Sequence, residues 1–152
     1  MKNLEISQKI NREKQKYDTK RREEPGYKLR KIISNAIYCA LAKYNLSKGG
    51  SILDYLYYTM EELKKHIESL FEPWMTWENW GVYDPETWDD NDKSTWTWQL
   101  DHIIPASTFK YTSMDDSEFQ KCWALSNLRP LNAKHNISES VKSRLESLKN
   151  AM

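Results

Sequence analysis

WTWQLDHIIP, residues 96–105, alternates large apolar and polar side chains and then reaches an Asp-His pair followed by a proline. Trp96, Trp98 and Leu100 alternate with Thr97 and Gln99, the period of a half-buried β-strand. The strand runs into Asp101 and His102 and ends before Pro105, which cannot donate to a ladder. Strict alternation sends the Asp101 and His102 side chains to opposite faces. For both to serve one metal ion, the strand must twist or end there.

Downstream, residues 105–126 read as a loop or short-helix connection, with one or two helical turns between Asp115 and Trp123. NLRPL, residues 127–131, reads as a brief extended segment because Pro130 opposes a helix around it. From Lys134 to Lys149, Ile137, Val141, Leu145 and Leu148 recur at helical spacing. The C-terminal third is therefore expected to be two extended segments followed by a helix.

Upstream, the texture is helical. Thr59 and Glu62 form the pattern of a capping box, opening a helix whose buried face is Leu63, Ile67, Leu70 and Phe71. Before it, Leu29, Ile32, Ile33, Ala36, Ile37, Ala40, Leu41 and Tyr44 form an apolar stripe across about four turns. Pro25-Gly26 breaks the chain ahead of that helix, and Ile10 to Glu24 is too polar to bury a face alone. Residues 1–26 are accordingly a basic arm, helical or flexible; 27–72 a helical region; 73–152 Trp-rich loops leading into the strand, connection and last helix. The fold class is α+β.

The segment from Pro73 to Trp96 is dense in Trp, turn formers and acids. Its Trp residues are expected in the core, with Trp88, in an acidic loop, the expected exposed exception. Asp84, Glu86, Asp89, Asp90 and Asp92 read as a solvated loop rather than a cation site. His66, beside an apolar stripe, reads as a packing or hydrogen-bonding residue.

Composition sets limits. A chain of 152 residues suits one domain with an appended arm. No apolar run approaches the roughly 20 residues of a membrane span, and no apolar block near Met1 suggests a signal peptide. Cys39 and Cys122 form no close pair, which argues against a disulfide framework or a four-cysteine zinc site and makes a reducing cytoplasm the expected setting. The net charge of +1 conceals an asymmetry. Residues 1–48 hold 13 Lys and Arg against 5 acids, residues 49–100 hold 3 against 11, and residues 101–152 hold 7 against 6. A basic arm, with Arg21 and Arg22 at its end, is an electrostatic footprint for a polyanion.

Phosphodiester hydrolysis requires a base for water, a cation against developing negative charge, and ligands to hold that cation. His102 is a natural base, since imidazole titrates near working pH. Asp101 supplies a hard oxygen suited to Mg²⁺ or Mn²⁺. A second ligand is available from His135 or Asn136 at the start of the last helix.

WQLDHIIPASTF, followed 25 residues after His102 by NLRPL and nine further on by Asn136, resembles the HNH, or ββα-metal, endonuclease family. Upstream, TMEELKKHIESLFEPWMTWENWG looks like a module that precedes the motif in phage-type HNH proteins, so the resemblance spans about residues 52–142. It implies a C-terminal ββα-metal finger packed by the helical region. It also implies cleavage of DNA to 3′-hydroxyl and 5′-phosphate ends with one Mg²⁺ or Mn²⁺, in a bacterial or phage-infected cell. His102 would activate water, Asp101 and Asn136 would hold the ion, and Asn127 would hold the loop that positions His102. An alternative register places His135 on the ion. The Cys-x-x-Cys pairs that bind structural zinc in many relatives are missing, so no structural zinc is expected. Lys110, Arg129, Lys134 and Lys142, with Arg21 and Arg22 of the arm, would contact phosphate. Glu139 stands where relatives often carry Lys, which favours, as alternatives, a nucleic-acid-binding or assembly module that cuts weakly or not at all. RNA cleavage is a further alternative. A monomer would nick, and a homodimer would cut both strands.

Overall fold

A computed structural model of the chain describes residues 2–42, 44–47 and 49–151; the side chains of residues 2, 3, 140 and 142–147 lie outside that description. Helix α1 spans Lys2–Glu23, with Lys20, Arg21 and Arg22 in its last turn, where cations complement the helix dipole. Leu4, Ile6, Ile10 and Tyr17 stay exposed, as so polar a segment requires. The Pro25-Gly26 break amounts to one bent residue, Glu24. Helix α2, Pro25–Ala42, begins on the proline itself, whose missing N–H and fixed φ suit a first helical position. Leu29, Ile33, Ile37 and Leu41, four residues apart, are fully buried. Ile32 and Tyr44 of the expected stripe are exposed, because a helix touching its partner along one row buries only that row. Asn45 adopts φ 56°, a left-handed conformation Asn tolerates, and the Leu46 N–H returns to the Leu41 carbonyl at 3.1 Å.

Helix α3, Met60–Ser69, carries the expected capping box. Glu62 N donates to Thr59 Oγ1 at 3.1 Å, and Thr59 N donates to Glu62 Oε2 at 2.7 Å. Leu63 and Ile67 are buried, Leu70 exposed and Phe71 part-buried. His66 donates from Nε2 to the Leu128 carbonyl at 2.9 Å, pinning α3 to the sheet.

Strand β1, Trp98–His102, starts two residues later than the alternation suggests, because Lys93–Thr95 coils into a short 3-10 turn capped by Asp92. It pairs antiparallel with β2, Leu128–Asn132, in the register Trp98 to Asn132, Asp101 to Arg129 and His102 to Leu128. The connection contains helix α4, Ser117–Cys122, where the sequence suggested one or two turns. Helix α5, Ala133–Asn150, follows β2 directly and packs on both strands. Asn132 caps it, its Oδ1 accepting from His135 N at 3.1 Å. Ile137, Val141 and Leu148 are exposed, so the apolar row expected on α5 does not join the core among the described residues; Leu145 lies outside them.

The Trp residues knit the loops to the sheet. Trp98 is fully buried, stacks on Trp80 at 5.2 Å and 10°, meets Phe71 and Trp77 edge-on, and donates to the Thr76 carbonyl at 2.6 Å. Trp88 is part-buried rather than exposed, because its ring stacks on Trp96 at 5.5 Å and 4°. The fold is a mixed α+β arrangement of N-terminal helices and a small two-stranded antiparallel sheet. No helix among the described residues is long and apolar enough to cross a membrane.

Candidate functional site

Asn127 sits at the junction of the parts. Nearly buried at 6% exposure, its side chain makes three backbone contacts. Oδ1 accepts from Ile104 N at 2.8 Å, while Nδ2 donates to the carbonyls of Ile104 at 3.2 Å and Cys122 at 2.9 Å. The Asn127 carbonyl also accepts from Ile103 N at 2.8 Å. The segment leaving β1 is thus tied to the segment entering β2. A carboxamide, with donors and an acceptor on one flat group, can satisfy both backbone polarities at once.

His102 ends β1, and its ring meets Trp123 edge-on at 4.6 Å and 75°. It lines a cavity of about 350 Å³ between α2 and the following loop, with Cys39, Tyr44, Ser107, Lys110 and Trp123. Burial lowers the imidazole's pKa below the ordinary histidine value, partly opposed by the neighbouring Asp101 carboxylate. Nε2 is buried and has no hydrogen-bond partner among the described residues. Such an orphan is uncommon in a folded protein. Burial also pushes the Cys122 thiol at the end of α4 up to about 12, so it stays protonated.

Asp101 turns the other way, as alternation along a strand demands. Arg129, opposite it on β2, donates from Nε to Asp101 Oδ2 at 2.8 Å. A second guanidinium nitrogen lies 3.7 Å from Glu139 on α5, and Glu139 is also 3.7 Å from His135 Nε2. Gln99, two residues before Asp101 and so on its face, accepts from Asn136 Nδ2 at 3.0 Å. Asp101 and Gln99 therefore meet Arg129 and Asn136 on one face of the hairpin, while His102 lines its own cavity against Trp123. His135 is exposed. Period-two spacing from Asp101 was the signal that could have nominated Gln99.

Lys134 donates to both Asp90 oxygens at 2.6 and 2.7 Å, holding the acidic loop to the start of α5 and lowering the Asp90 pKa. Lys110 is exposed at the rim of the His102 cavity. Arg21 lies 5.9 Å over the Tyr27 ring, Arg22 is exposed on α1, and Lys142 lies outside the described side chains.

No group of three or more His, Cys, Asp or Glu side chains suited to a metal occurs among the described residues. Mg²⁺ needs none, since it is commonly held by one or two carboxylates plus substrate oxygens and water. The carboxylate of Asp101 and the carboxamide of Asn136 carry hard oxygen donors of that class; the first is held by Arg129 and the second by Gln99, its neighbour on the same strand face.

The chain is similar to two proteins of Acanthamoeba polyphaga mimivirus. It is 29% identical to uncharacterized protein L426 over 136 residues, 88% of this chain and 52% of that one. It is 25% identical to uncharacterized protein L246 over 148 residues, 92% of this chain and 56% of that one. The chain thus spans about half the length of these relatives. No protein-family model and no solved structure matches it.

Proposed function

We propose that this protein is a divalent-metal-dependent endonuclease of the HNH type that hydrolyses DNA, with β1, β2 and α5 as its ββα finger. The observation that carries the reading is the setting of His102. It lies in a cavity shared with a lysine, beside a backbone clamped by Asn127, and its Nε2 has no hydrogen-bond partner among the described residues. An imidazole nitrogen without a partner can accept the proton of a water that reaches it when substrate enters the cavity.

In this reading His102 accepts the proton of the attacking water at Nε2, and Lys110 draws phosphate toward the cavity. Asn127 fixes the backbone that carries His102 and so acts as a positioning residue. Asp101 and Asn136 would hold one Mg²⁺ or Mn²⁺, which would neutralise charge building on the phosphate and the leaving oxygen. In-line displacement puts attacking and leaving oxygens on opposite sides of phosphorus, so divergence of His102 and Asp101 around the strand end accords with the division of labour. Arg21, Arg22 and the rest of α1 supply a basic surface for the DNA backbone.

One observation favours a second reading, a nucleic-acid-binding or assembly module that cuts poorly: Arg129 already neutralises Asp101, and Glu139 adds a negative charge beside it. Incubating the protein with supercoiled plasmid and, separately, structured RNA, each with Mg²⁺ or Mn²⁺, separates the cases. Relaxed or linear plasmid is expected, relaxed circles from a monomer and linear DNA from a dimer. Cleavage of RNA alone would move the substrate class, and intact substrates with retained binding would favour the second reading.

A further inference from the structure

A second cavity, about 340 Å³, opens between α2 and the loop strip beside β1. It is lined by Lys28, Lys31, Ile32 and Asn35 from α2, Trp80 to Val82 from the loop, and Gln99 of β1. The strip is held in place: Gly81 N donates to the Trp98 carbonyl at 3.0 Å, and Thr97 Oγ1 donates to the Val82 carbonyl at 2.9 Å. Trp80 is backed by its stack on Trp98, so it is a rigid aromatic wall. Ile32 and Val82 are 45% and 71% exposed, which leaves apolar surface at the mouth.

We infer that this cleft binds one nucleotide of a single-stranded or locally opened DNA strand, beside the scissile phosphate; the inference rests on the nuclease reading for its choice of polymer. Three features favour that occupant. None of the eight described lining residues is acidic, although residues 49–100 carry 11 acids against 3 basic residues, and two lysines stand at the wall. An aromatic ring with apolar neighbours suits stacking with a base of any identity, and flanking lysines suit the backbone. Gln99 joins the cleft to the candidate ion site, since it accepts the hydrogen bond of Asn136. The volume is at the small end for ligand sites, commonly about 300–1,000 Å³, and fits one nucleotide rather than a duplex.

The test uses the full chain in EDTA, where binding is read without turnover. Fluorescence anisotropy of a labelled single-stranded oligonucleotide is measured across a salt series for wild type, Lys28→Glu/Lys31→Glu, and a control with the same charge change elsewhere, Lys65→Glu/Lys121→Glu. All four lysines are exposed on helices, the control pair in exposed i,i+3 and i,i+4 ion pairs with Glu118 and Glu61, and circular dichroism checks that each variant keeps the wild-type fold. The cleft variant is expected to bind about tenfold more weakly, with a salt slope lower by about 2, and the control to retain wild-type affinity and slope. An oligonucleotide carrying 5-iododeoxyuridine should photocrosslink to Trp80 in wild type and lose that crosslink in the cleft variant. Equal weakening in both variants, or no crosslink at Trp80, overturns the inference. Failure of plasmid cleavage would instead strike the nuclease reading and leave this result standing.

Discussion

Arg129 Nε donates to Asp101 Oδ2 at 2.8 Å across the β1–β2 pair, so the residue nominated for the metal and one nominated for phosphate hold each other. A cation approaching Asp101 competes with the guanidinium. Arg129→Gln should therefore tighten Mn²⁺ binding about fivefold, the equivalent of about 1 kcal/mol for a partly exposed ion pair. Isothermal titration checks this; unchanged or weaker binding would mean that Asp101 does not bind the ion.

Asn127→Ala removes three side-chain hydrogen bonds to backbone groups in a buried setting. At about 1 kcal/mol for each bond, with a further penalty for groups left unpaired, the expected loss is about 2–4 kcal/mol in urea unfolding. Loss of less than about 1 kcal/mol would show that the junction holds without the clamp.

Much of this was legible in the sequence. The capping box at Thr59 and Glu62, the helix of the Leu29 to Tyr44 stripe, of which only the row Leu29, Ile33, Ile37 and Leu41 is buried, and the strand entering Asp101-His102 are local signals that the fold keeps. What escaped reading was set by tertiary contacts. Trp88 reads as exposed until Trp96 is placed against it, and nothing near Lys134 in the chain points to Asp90, 44 residues away. The α5 row of Ile137, Val141 and Leu148 has the period of a buried face, but periodicity states that a face exists and not that anything covers it. In the candidate site, the opposed directions of Asp101 and His102 followed from alternation, whereas the Arg129 pairing depended on a register that only the folded hairpin fixes.

Burial lowers the His102 pKa, so the folded state takes up its proton at lower pH than the unfolded state does. Stability from this group is complete above the unfolded value of about 6.5 and is lost as pH falls from there toward the folded pKa. Urea unfolding of wild type should weaken over that interval more steeply than that of His102→Gln. Parallel profiles would contradict the buried, neutral imidazole.

Deleting residues 1–24 removes eight Lys and Arg against five acids. DNA affinity should fall and its dependence on salt should flatten, since fewer counterions are released on binding. A salt slope equal to that of the full chain would remove α1 from the interface.

The most direct measurement is relaxation of supercoiled plasmid in Mg²⁺ or Mn²⁺ by wild type and by His102→Ala, each checked by circular dichroism for the same folded content. Wild type should cut, and loss of the base should slow cutting by about 10²-fold or more, with DNA binding retained in EDTA. Equal cleavage by the two proteins, or none by wild type on any DNA substrate, would contradict His102 as the base of a nuclease.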